Sequence, residues 1–240
     1  MEIWQSERLK KISWVVHGTA SRNFGSTRYP NAGEGQDATE ENRAAFLLTL
    51  GLNAAQLVVS GNEHGNHIVS VDGKSPRRVG HCDGLITGVS NVPLATKTAD
   101  CLPLFFVDPT VRTVAVAHAG WKGVASGMAI EAVRAFFGHG SRPSDLVVAI
   151  GPSIGPCHYV VHDERRDQML ERTPFIEPSD FHAGHVDLRA IVTRQLSASG
   201  ILPANIDLSA PCTACHPDLF FSYALSRDSS EGMLSVISKV

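Results

Sequence analysis

Short runs of apolar residues, separated by turn-forming residues, dominate the hydrophobic pattern of this chain. Runs of this length are typical of buried strands. They predict strands at 12–16, 57–60, 67–71, 92–97, 103–107, 111–117, 145–150, 205–208, 219–223 and 234–238. Several neighbouring strands are joined by turns too short for a helical crossover, so antiparallel pairs are expected. The pattern therefore predicts an α/β fold with mixed sheets.

Three segments have the apolar spacing and the end signals of helices. The first is Asp37 to Leu50, where Asp37 is the expected N-cap, Glu40 completes a capping box and Gly51 ends the helix. The other two predicted helices are Gly123–Phe137 and Asp187–Ser199. Neither GxGxxG nor GxxxxGK[ST] occurs, so the sequence indicates no dinucleotide or P-loop nucleotide site.

Composition narrows the class of protein. The 240 residues are 43% hydrophobic and 19% charged, with a formal net charge of −3, as in a globular protein of one large or two small domains. No Lys/Arg run predicts a nucleic-acid or membrane surface, and no apolar stretch reaches the ~18 residues of a membrane helix. Five cysteines without a signal-like N-terminus predict reduced thiols and a cytoplasmic location.

Three potential metal ligands stand at predicted strand ends or tight turns: His64, Cys101 and His118. If these ends share one edge of the sheet, the three side chains converge. Two imidazoles and one thiolate suit zinc and leave a fourth position open, as in a catalytic site. The same donors also suit copper. The alternative is a buried structural cysteine with two hydrogen-bonded histidines.

Long blocks of the sequence resemble those of a known family. The blocks are "HGTASRNFG" (17–25), "ENR" (41–43), "TADCLPLFFVD" (98–108), "AHAGWKG" (117–123), "IGPSIGPCHYVV" (150–161) and "CTACHPDLFFSY" (212–223). They are similar to the motifs of the YfiH family, also called the laccase-domain, multicopper polyphenol oxidase or purine nucleoside phosphorylase family. The resemblance covers nearly the whole chain in the expected order.

The resemblance implies a single domain over residues 1–240 with an α-β-β-α layered fold. It implies a zinc site formed by His64, Cys101 and His118, the same three residues that the strand ends select. The implied activity is phosphorolysis of adenosine, inosine, guanosine and methylthioadenosine, together with deamination of adenosine. The older family name implies copper-dependent oxidation of phenols. The expected partners are a purine nucleoside and phosphate, and the expected assembly is a monomer or a homodimer.

Further residues receive roles from this resemblance. Arg22 matches an arginine of the family's first block, and Lys122 lies in a glycine-rich turn, so both are predicted to hold phosphate. The alternatives are a structural ion pair for Arg22 and a solvated surface lysine for Lys122. Cys101 and His118 are predicted to be catalytic through the metal. Asp100 is predicted to move protons, with turn capping as the alternative.

The chain also departs from the family pattern. Asn62 and Glu63 replace a Gln-Val pair, which removes a substrate contact and adds a negative charge near the proposed metal. Lys122 replaces an arginine and loses bidentate phosphate geometry. Ala224-Leu225 replaces a pair of arginines, with Arg227 only nearby.

Three rival interpretations remain. His162–Glu164 and Pro211–Cys215 match the H-x-E…P-C-x-x-C pattern of zinc deaminases, but Pro217 disfavours the helix that should carry the second half, so the match is interpreted as coincidence. Cys101 and His118 are also the nucleophile and base that a Cys–His hydrolase needs. The departures from the family motivate the third interpretation, a non-catalytic regulatory protein on the same scaffold.

Overall fold

The computed structural model describes residues 2–29, 39–172 and 175–240. Within these ranges the strands are β1 (Ile3–Trp4), β2 (Val15–Ala20), β3 (Val58–Ser60), β4 (Ile68–Ser70), β5 (Arg78–Val79), β6 (Gly84–Thr87), β7 (Leu94–Thr98), β8 (Leu102–Asp108), β9 (Thr113–Ala119), β10 (Val147–Ile150), β11 (Phe181–His182), β12 (His185–Val186), β13 (Ile206–Asp207) and β14 (Met233–Lys239). The helices are α1 (Glu40–Thr49), α2 (Trp121–Ala125), α3 (Met128–Phe137), α4 (Asp163–Arg172), α5 (Leu188–Ala198) and α6 (Tyr223–Ser226).

Two six-stranded sheets form the centre of the fold. The first has the order β1-β2-β14-β7-β3-β5, and the second has the order β13-β10-β8-β9-β6-β4. Both sheets are mixed: β3 pairs with β7 in parallel and β14 pairs with β7 antiparallel, while β8 pairs antiparallel with both β9 and β10. The prediction of an α/β fold with mixed sheets is confirmed.

Alternation along β8 shows how the layers are packed. Phe105 and Val107 lie in an apolar cluster with Leu94 and Ile237 of the first sheet, so this cluster fills the space between the sheets. Phe106 lies in a second cluster with residues of α3 and α5, because side chains on a strand point alternately to opposite faces. Residues of α1 cover the outer face of the first sheet. The order of layers is therefore α-β-β-α, as the resemblance implies.

Two predicted elements differ from the structure. The predicted helix Gly123–Phe137 is two helices, α2 and α3, because Gly127 has a positive φ of +80° and breaks the helical path. The predicted strand at 219–223 is wrong: the N–H groups of Leu219 and Phe220 both donate to the His216 carbonyl, at 3.0 and 2.9 Å, which makes a turn before α6. The predicted N-cap Asp37 lies outside the described residues, and Thr39 precedes α1.

The described ranges contain no helix that has both the length and the apolar character needed to cross a bilayer. All five cysteines are free thiols. The thiols are therefore open to metal binding or to chemistry, as expected from the sequence.

Candidate metal centre and substrate cavity

Both sheets contribute to a cluster of three potential metal ligands. Cys101 lies in the turn between β7 and β8, His118 is the penultimate residue of β9, and His64 lies in the loop after β3. β8 pairs with β9 so that Pro103 lies opposite His118, which brings the start of one strand to the end of the other. The ligand atoms of His64, Cys101 and His118 lie within 4.8 Å of one another. The structure therefore brings together the three residues selected from the sequence.

The backbone around this cluster has rare φ angles and a closely packed glycine, which allow the three side chains to approach one another. His64 and Asp100 have positive φ angles of 63° and 85°, a region that non-glycine residues rarely occupy. At Gly120, an added Cβ would lie 3.0 Å from His64 Cδ2 and 3.1 Å from Cys101 Sγ. Only glycine leaves the imidazole and the thiol room to converge at this point.

Asp83, which the sequence analysis did not select, organises two of the three ligands. Its buried carboxylate accepts hydrogen bonds from the backbone N–H groups of His64 and Gly65, each at 2.8 Å. Oδ1, the oxygen that accepts from the His64 N–H, also lies 3.0 Å from His118 Nδ1. In the neutral ring, with Nδ1–H donating to this carboxylate, Nε2 of His118 carries no proton and is available to a metal. Asp83 therefore sets both the turn at His64 and the ring orientation of His118.

The charges of the cluster stabilise one another. Burial alone would raise the pKa of Cys101, but the His118 and His64 rings outweigh this effect and lower the pKa to about 6. Burial alone would lower the pKa of His118, but the Cys101 sulfur and the Asp83 carboxylate raise it to about 9. The site thus favours a thiolate beside a positive charge. A divalent cation meets the same requirement, so the donor set and the tight packing around Gly120 fit a zinc ion, and they fit copper as well.

A cavity of about 320 Å³ opens onto the cluster, which is at the small end of the range for ligand pockets. Arg28 and Lys97 supply positive charge to its wall, and Tyr223 supplies an aromatic ring. The other lining residues are Asn62, His64, Thr98, Ala99, Cys101, His118, Asp228, Ser229, Glu231 and Gly232. The sequence analysis missed Arg28, Lys97 and Tyr223, because they come from a loop, a strand and a short helix that are distant along the chain.

The two residues predicted to hold phosphate are not among those that line this cavity. Arg22 donates to the Pro217 carbonyl at 2.9 Å and pairs with Glu231 at 3.2 Å, while its guanidinium lies over the Phe221 ring. Glu231 itself lines the cavity, so Arg22 lies behind the wall. Lys122 is exposed on α2, with its Nζ 5.7 Å from the centre of the Trp121 ring. The phosphate roles of Arg22 and Lys122 stay predictions.

Asp100 lies beside Cys101, but its carboxylate is engaged. Oδ1 accepts a hydrogen bond from the Thr213 hydroxyl at 2.6 Å, and Oδ2 accepts one from the Ala224 N–H at 2.6 Å. The Asp100 carbonyl also accepts from the Ile154 N–H at 2.9 Å. These contacts suit a residue that holds neighbouring loops. The proton-transfer role of Asp100 stays a prediction.

The residues that depart from the family pattern lie in or near the cavity wall, or on the surface. Glu63 accepts from the His81 N–H at 2.9 Å, and its carboxylate lies 3.3 Å from His81 Nδ1. The Asn62 amide donates to the Lys97 carbonyl at 2.7 Å while the residue lines the cavity. Leu225 is exposed, and the Arg227 guanidinium lies 5.9 Å from the centre of the Tyr223 ring.

The deaminase-like pattern is not assembled as such a site. His162 directly precedes α4, whereas Cys212 and Cys215 group with Cys157 and His158. The segment after Cys215 is a turn and not the start of a helix. This arrangement agrees with the interpretation of the pattern as coincidence.

Comparisons with known proteins agree with this fold. A family model described as multi-copper polyphenol oxidoreductase laccase matches residues 8–239. Purine nucleoside phosphorylase YlmD of Geobacillus stearothermophilus is 33% identical over 248 residues, which cover 94% of this chain and 90% of that protein. Human purine nucleoside phosphorylase LACC1 is 32% identical over 226 residues, which cover 87% of this chain and 52% of the human protein. The chain thus spans about half the length of the human relative.

Solved structures give the same result. The crystal structure of YlmD from Geobacillus stearothermophilus matches with a TM-score of 0.84 and 31% identity, covering 95% of this chain and 93% of that chain. The crystal structure of the Bacillus licheniformis hypothetical protein YfiH matches with a TM-score of 0.85 and 30% identity, covering 96% and 95%. The architecture is therefore shared over nearly the full length of these chains.

Proposed function

The chain belongs to the multi-copper polyphenol oxidoreductase laccase family, and on that premise we propose that it is a zinc-dependent purine nucleoside phosphorylase that also deaminates adenosine. The observation that carries the proposal is the convergence of His64, Cys101 and His118 at a cavity with cationic and aromatic walls. Relatives that cover most of the chain and are named purine nucleoside phosphorylases support the substrate class. The proposed substrates are adenosine, inosine, guanosine and methylthioadenosine.

The cavity walls suit the two reactants of phosphorolysis. Arg28 and Lys97 bring positive charge to the cavity, where they would bind the phosphate dianion by charge-assisted hydrogen bonds. Tyr223 offers a ring on which a purine stacks. Phosphate and nucleoside are then held together beside the cluster, and this orientation lowers the barrier to reaction.

A zinc ion bound by His64, Cys101 and His118 would supply Lewis-acid chemistry and acidify a nearby water. The chain's own residues prepare the site for it. The Asp83 carboxylate lies at Nδ1 of His118 and so favours the proton on that nitrogen. Nε2 would then be the nitrogen that binds the metal. The neighbouring rings keep Cys101 in its thiolate form at neutral pH, because they lower its pKa to about 6.

Both proposed reactions are substitutions without a redox change. In phosphorolysis, a phosphate oxygen bonds to C1′ while the C1′–N9 bond breaks, and the purine takes up a proton. In deamination, the oxygen of water bonds to C6 of adenosine, and ammonia leaves with the electron pair of the C6–N bond. Asp100, Cys101 and His118 are the residues proposed to act nearest to these steps.

The test is product identification. Zinc-loaded protein is incubated with adenosine, with and without phosphate, and the products are identified by chromatography and mass spectrometry. We expect adenine and ribose 1-phosphate only when phosphate is present. Inosine should form in both conditions, and with phosphate it should be converted further to hypoxanthine, because inosine is itself a proposed substrate. Cys101→Ala should abolish both activities and release the zinc. Cys82→Ala is the matched control and should stay active. Cys82 is buried and belongs neither to the group of Cys101 nor to the group of Cys157, Cys212 and Cys215.

No turnover of any of the four nucleosides by zinc-loaded protein would contradict the proposal and favour a non-catalytic role. Full activity of metal-free protein would instead favour a Cys–His hydrolase with Cys101 as its nucleophile. Each result points to a different function for the same atoms.

Copper-dependent oxidation of phenols is a second candidate, because two histidines and one cysteine are also the donors of copper electron-transfer sites. Copper-loaded protein supplied with a phenol and oxygen should then consume oxygen, and zinc-loaded protein should not. Oxygen consumption no faster than that of Cys101→Ala would remove this candidate.

A further inference from the structure

A second group of metal-ligating side chains lies where two loops meet, outside the substrate cavity. It consists of Cys157, His158, Cys212 and Cys215, whose ligand atoms lie within 4.8 Å of one another. We propose that these four side chains, which we term the Cys₃His cluster, bind a structural zinc ion that fastens the two loops together. This ion is additional to the zinc proposed at His64, Cys101 and His118.

The topology explains why these residues meet. Cys157 and His158 follow β10, and Cys212 and Cys215 follow β13. These two strands pair in parallel. Loops that follow parallel neighbours leave the sheet at the same edge. An isolated parallel bridge between Ser153 and Cys212 continues the pairing beyond the strands. The two loops therefore reach the cluster side by side.

The distances fit a tetrahedral ion. A zinc with bonds of about 2.3 Å to sulfur and about 2.05 Å to nitrogen separates its ligand atoms by about 3.5–3.8 Å. His158 Nδ1 lies 3.4 Å from Cys157 Sγ, 3.9 Å from Cys212 Sγ and 3.5 Å from Cys215 Sγ. The Sγ atoms of Cys157 and Cys215 are 3.4 Å apart. All four separations lie within about 0.4 Å of the expected edges.

The chemistry of the donors also selects zinc. Three thiolates with one imidazole form a closed set of four, which is typical of structural zinc sites. Cys212 and Cys215 have the C-x-x-C spacing that lets one loop supply two ligands. By contrast, the cluster at the cavity offers three ligands and keeps a position open.

The surroundings of the Cys₃His cluster stabilise a thiolate at Cys212. The Gly155 N–H donates to Cys212 Sγ at 3.2 Å, a hydrogen bond of the kind that stabilises metal-bound sulfur. Arg189 donates to the carbonyls of Ser153 and Pro211, at 2.6 and 2.7 Å, and so holds both loops from behind. Its positive charge also interacts with Cys212. A zinc with three thiolates carries one net negative charge, which Arg189 offsets.

A disulfide is the competing state of the same cysteines. Cys157 Sγ and Cys215 Sγ are 3.4 Å apart, whereas a disulfide needs about 2.05 Å and an oxidant to accept two electrons. A disulfide would also leave Cys212 and His158 without a role. Zinc uses all four side chains in the positions that they already occupy.

The first experiment counts metal in the full chain, purified after growth with zinc, by inductively coupled plasma mass spectrometry. We expect two zinc ions per wild-type chain, and one in each of Cys215→Ser and Cys101→Ser, because each variant loses a different site. His216→Ala is the matched control: it removes an exposed histidine from the same loop but outside the cluster, and should keep both ions. Equal zinc content in Cys215→Ser and wild type would overturn the proposal.

The second experiment uses only wild-type protein, so it does not depend on whether a variant folds. Cys157 and Cys215 are exposed, yet bound zinc should shield them from iodoacetamide. Peptide mass spectrometry should show alkylation at both sites at least tenfold faster after a strong chelator is added. Fast alkylation before chelation, or an intact mass 2 Da low from a disulfide, would overturn the zinc site. Neither result depends on nucleoside turnover, so failure here is distinct from failure of the proposed enzyme.

Discussion

Asp83→Asn tests whether a residue that touches no substrate controls the metal centre. The Asp83 carboxylate accepts from His64 N–H and Gly65 N–H and from His118 Nδ1. An amide of the same shape keeps one acceptor oxygen and replaces the other with an NH₂ group. If that NH₂ takes the Oδ2 position, it faces the Gly65 N–H. If it takes the Oδ1 position, it faces both the His64 N–H and the His118 ring.

Asp83→Asn should change both the metal affinity and the folding stability. Removing the residue that orients a metal-binding histidine costs 10- to 100-fold in metal affinity, which is about 1.4–2.7 kcal/mol. A buried N–H that loses its acceptor costs a further ~1–3 kcal/mol of folding free energy. We therefore expect the zinc Kd of the His64–Cys101–His118 site to rise 10- to 100-fold, and the metal-free protein to unfold at a lower temperature.

The assay is zinc competition with a chromophoric chelator, done in a Cys215→Ser background so that only the cavity site titrates. Asp108→Asn is the matched control, since Asp108 is equally buried and its Oδ1 accepts from the N–H groups of Thr110 and Val111, away from the cavity. Asp83→Asn with a Kd within twofold of the control would refute the reasoning, because His118 would then need no partner at Nδ1.

Three further predictions follow from other contacts. Lys97→Ala should raise the KM for phosphate about tenfold, equivalent to about 1.4 kcal/mol, whereas Lys74→Ala, which changes an exposed lysine that does not line the cavity, should leave it within twofold; steady-state kinetics showing equal changes in both variants would contradict the assignment of phosphate to Lys97. Gly120→Ala should lower zinc affinity at least tenfold by chelator competition, because its Cβ would lie 3.0 Å from His64 Cδ2; Gly138→Ala, with its nearest contact at 3.6 Å, is the control. Burial chiefly lowers the pKa of His17 from 6.5 to about 4, so the unfolded chain binds a proton first as the pH falls below 6.5. Between pH 7 and pH 5, the free energy of unfolding, measured with urea in the presence of chelator, should therefore fall by about 2 kcal/mol more in the wild type than in His17→Gln. Equal decreases would show that His17 is not the group that titrates.

The three candidate metal ligands could be selected from the sequence because each one lies at the end of a strong strand or in a tight turn. The strands predicted at 92–97, 103–107 and 111–117 correspond to β7, β8 and β9, and these strands determine where Cys101 and His118 lie. Periodicity finds such strands because their residues are buried over the whole length. The chemistry of cysteine and histidine then identifies the candidates.

Asp83 and the cavity cations could not be found in this way. Asp83 is 19 residues from His64 and 35 residues from His118 along the chain. The pairing of β6 with β9 brings it to His118, and the pairing of β6 with β4 brings it to the segment that contains His64. Lys97 lies in the middle of a strand, where a single lysine carries no motif. The predicted strand at 219–223 failed for a related reason, since Phe220 and Phe221 are buried in a turn and not in a sheet.

Asp100 links the two proposed metal sites through one turn. Its carboxylate holds Thr213, which is next to Cys212, and the N–H of Ala224, which is next to the cavity residue Tyr223. Both oxygens therefore already accept hydrogen bonds. The same residue precedes Cys101 with a positive φ of 85°, a conformation that these contacts help to maintain. Because Thr213 lies between the cluster residues Cys212 and Cys215, a zinc ion there would also hold the turn at Asp100 in place beside the cavity.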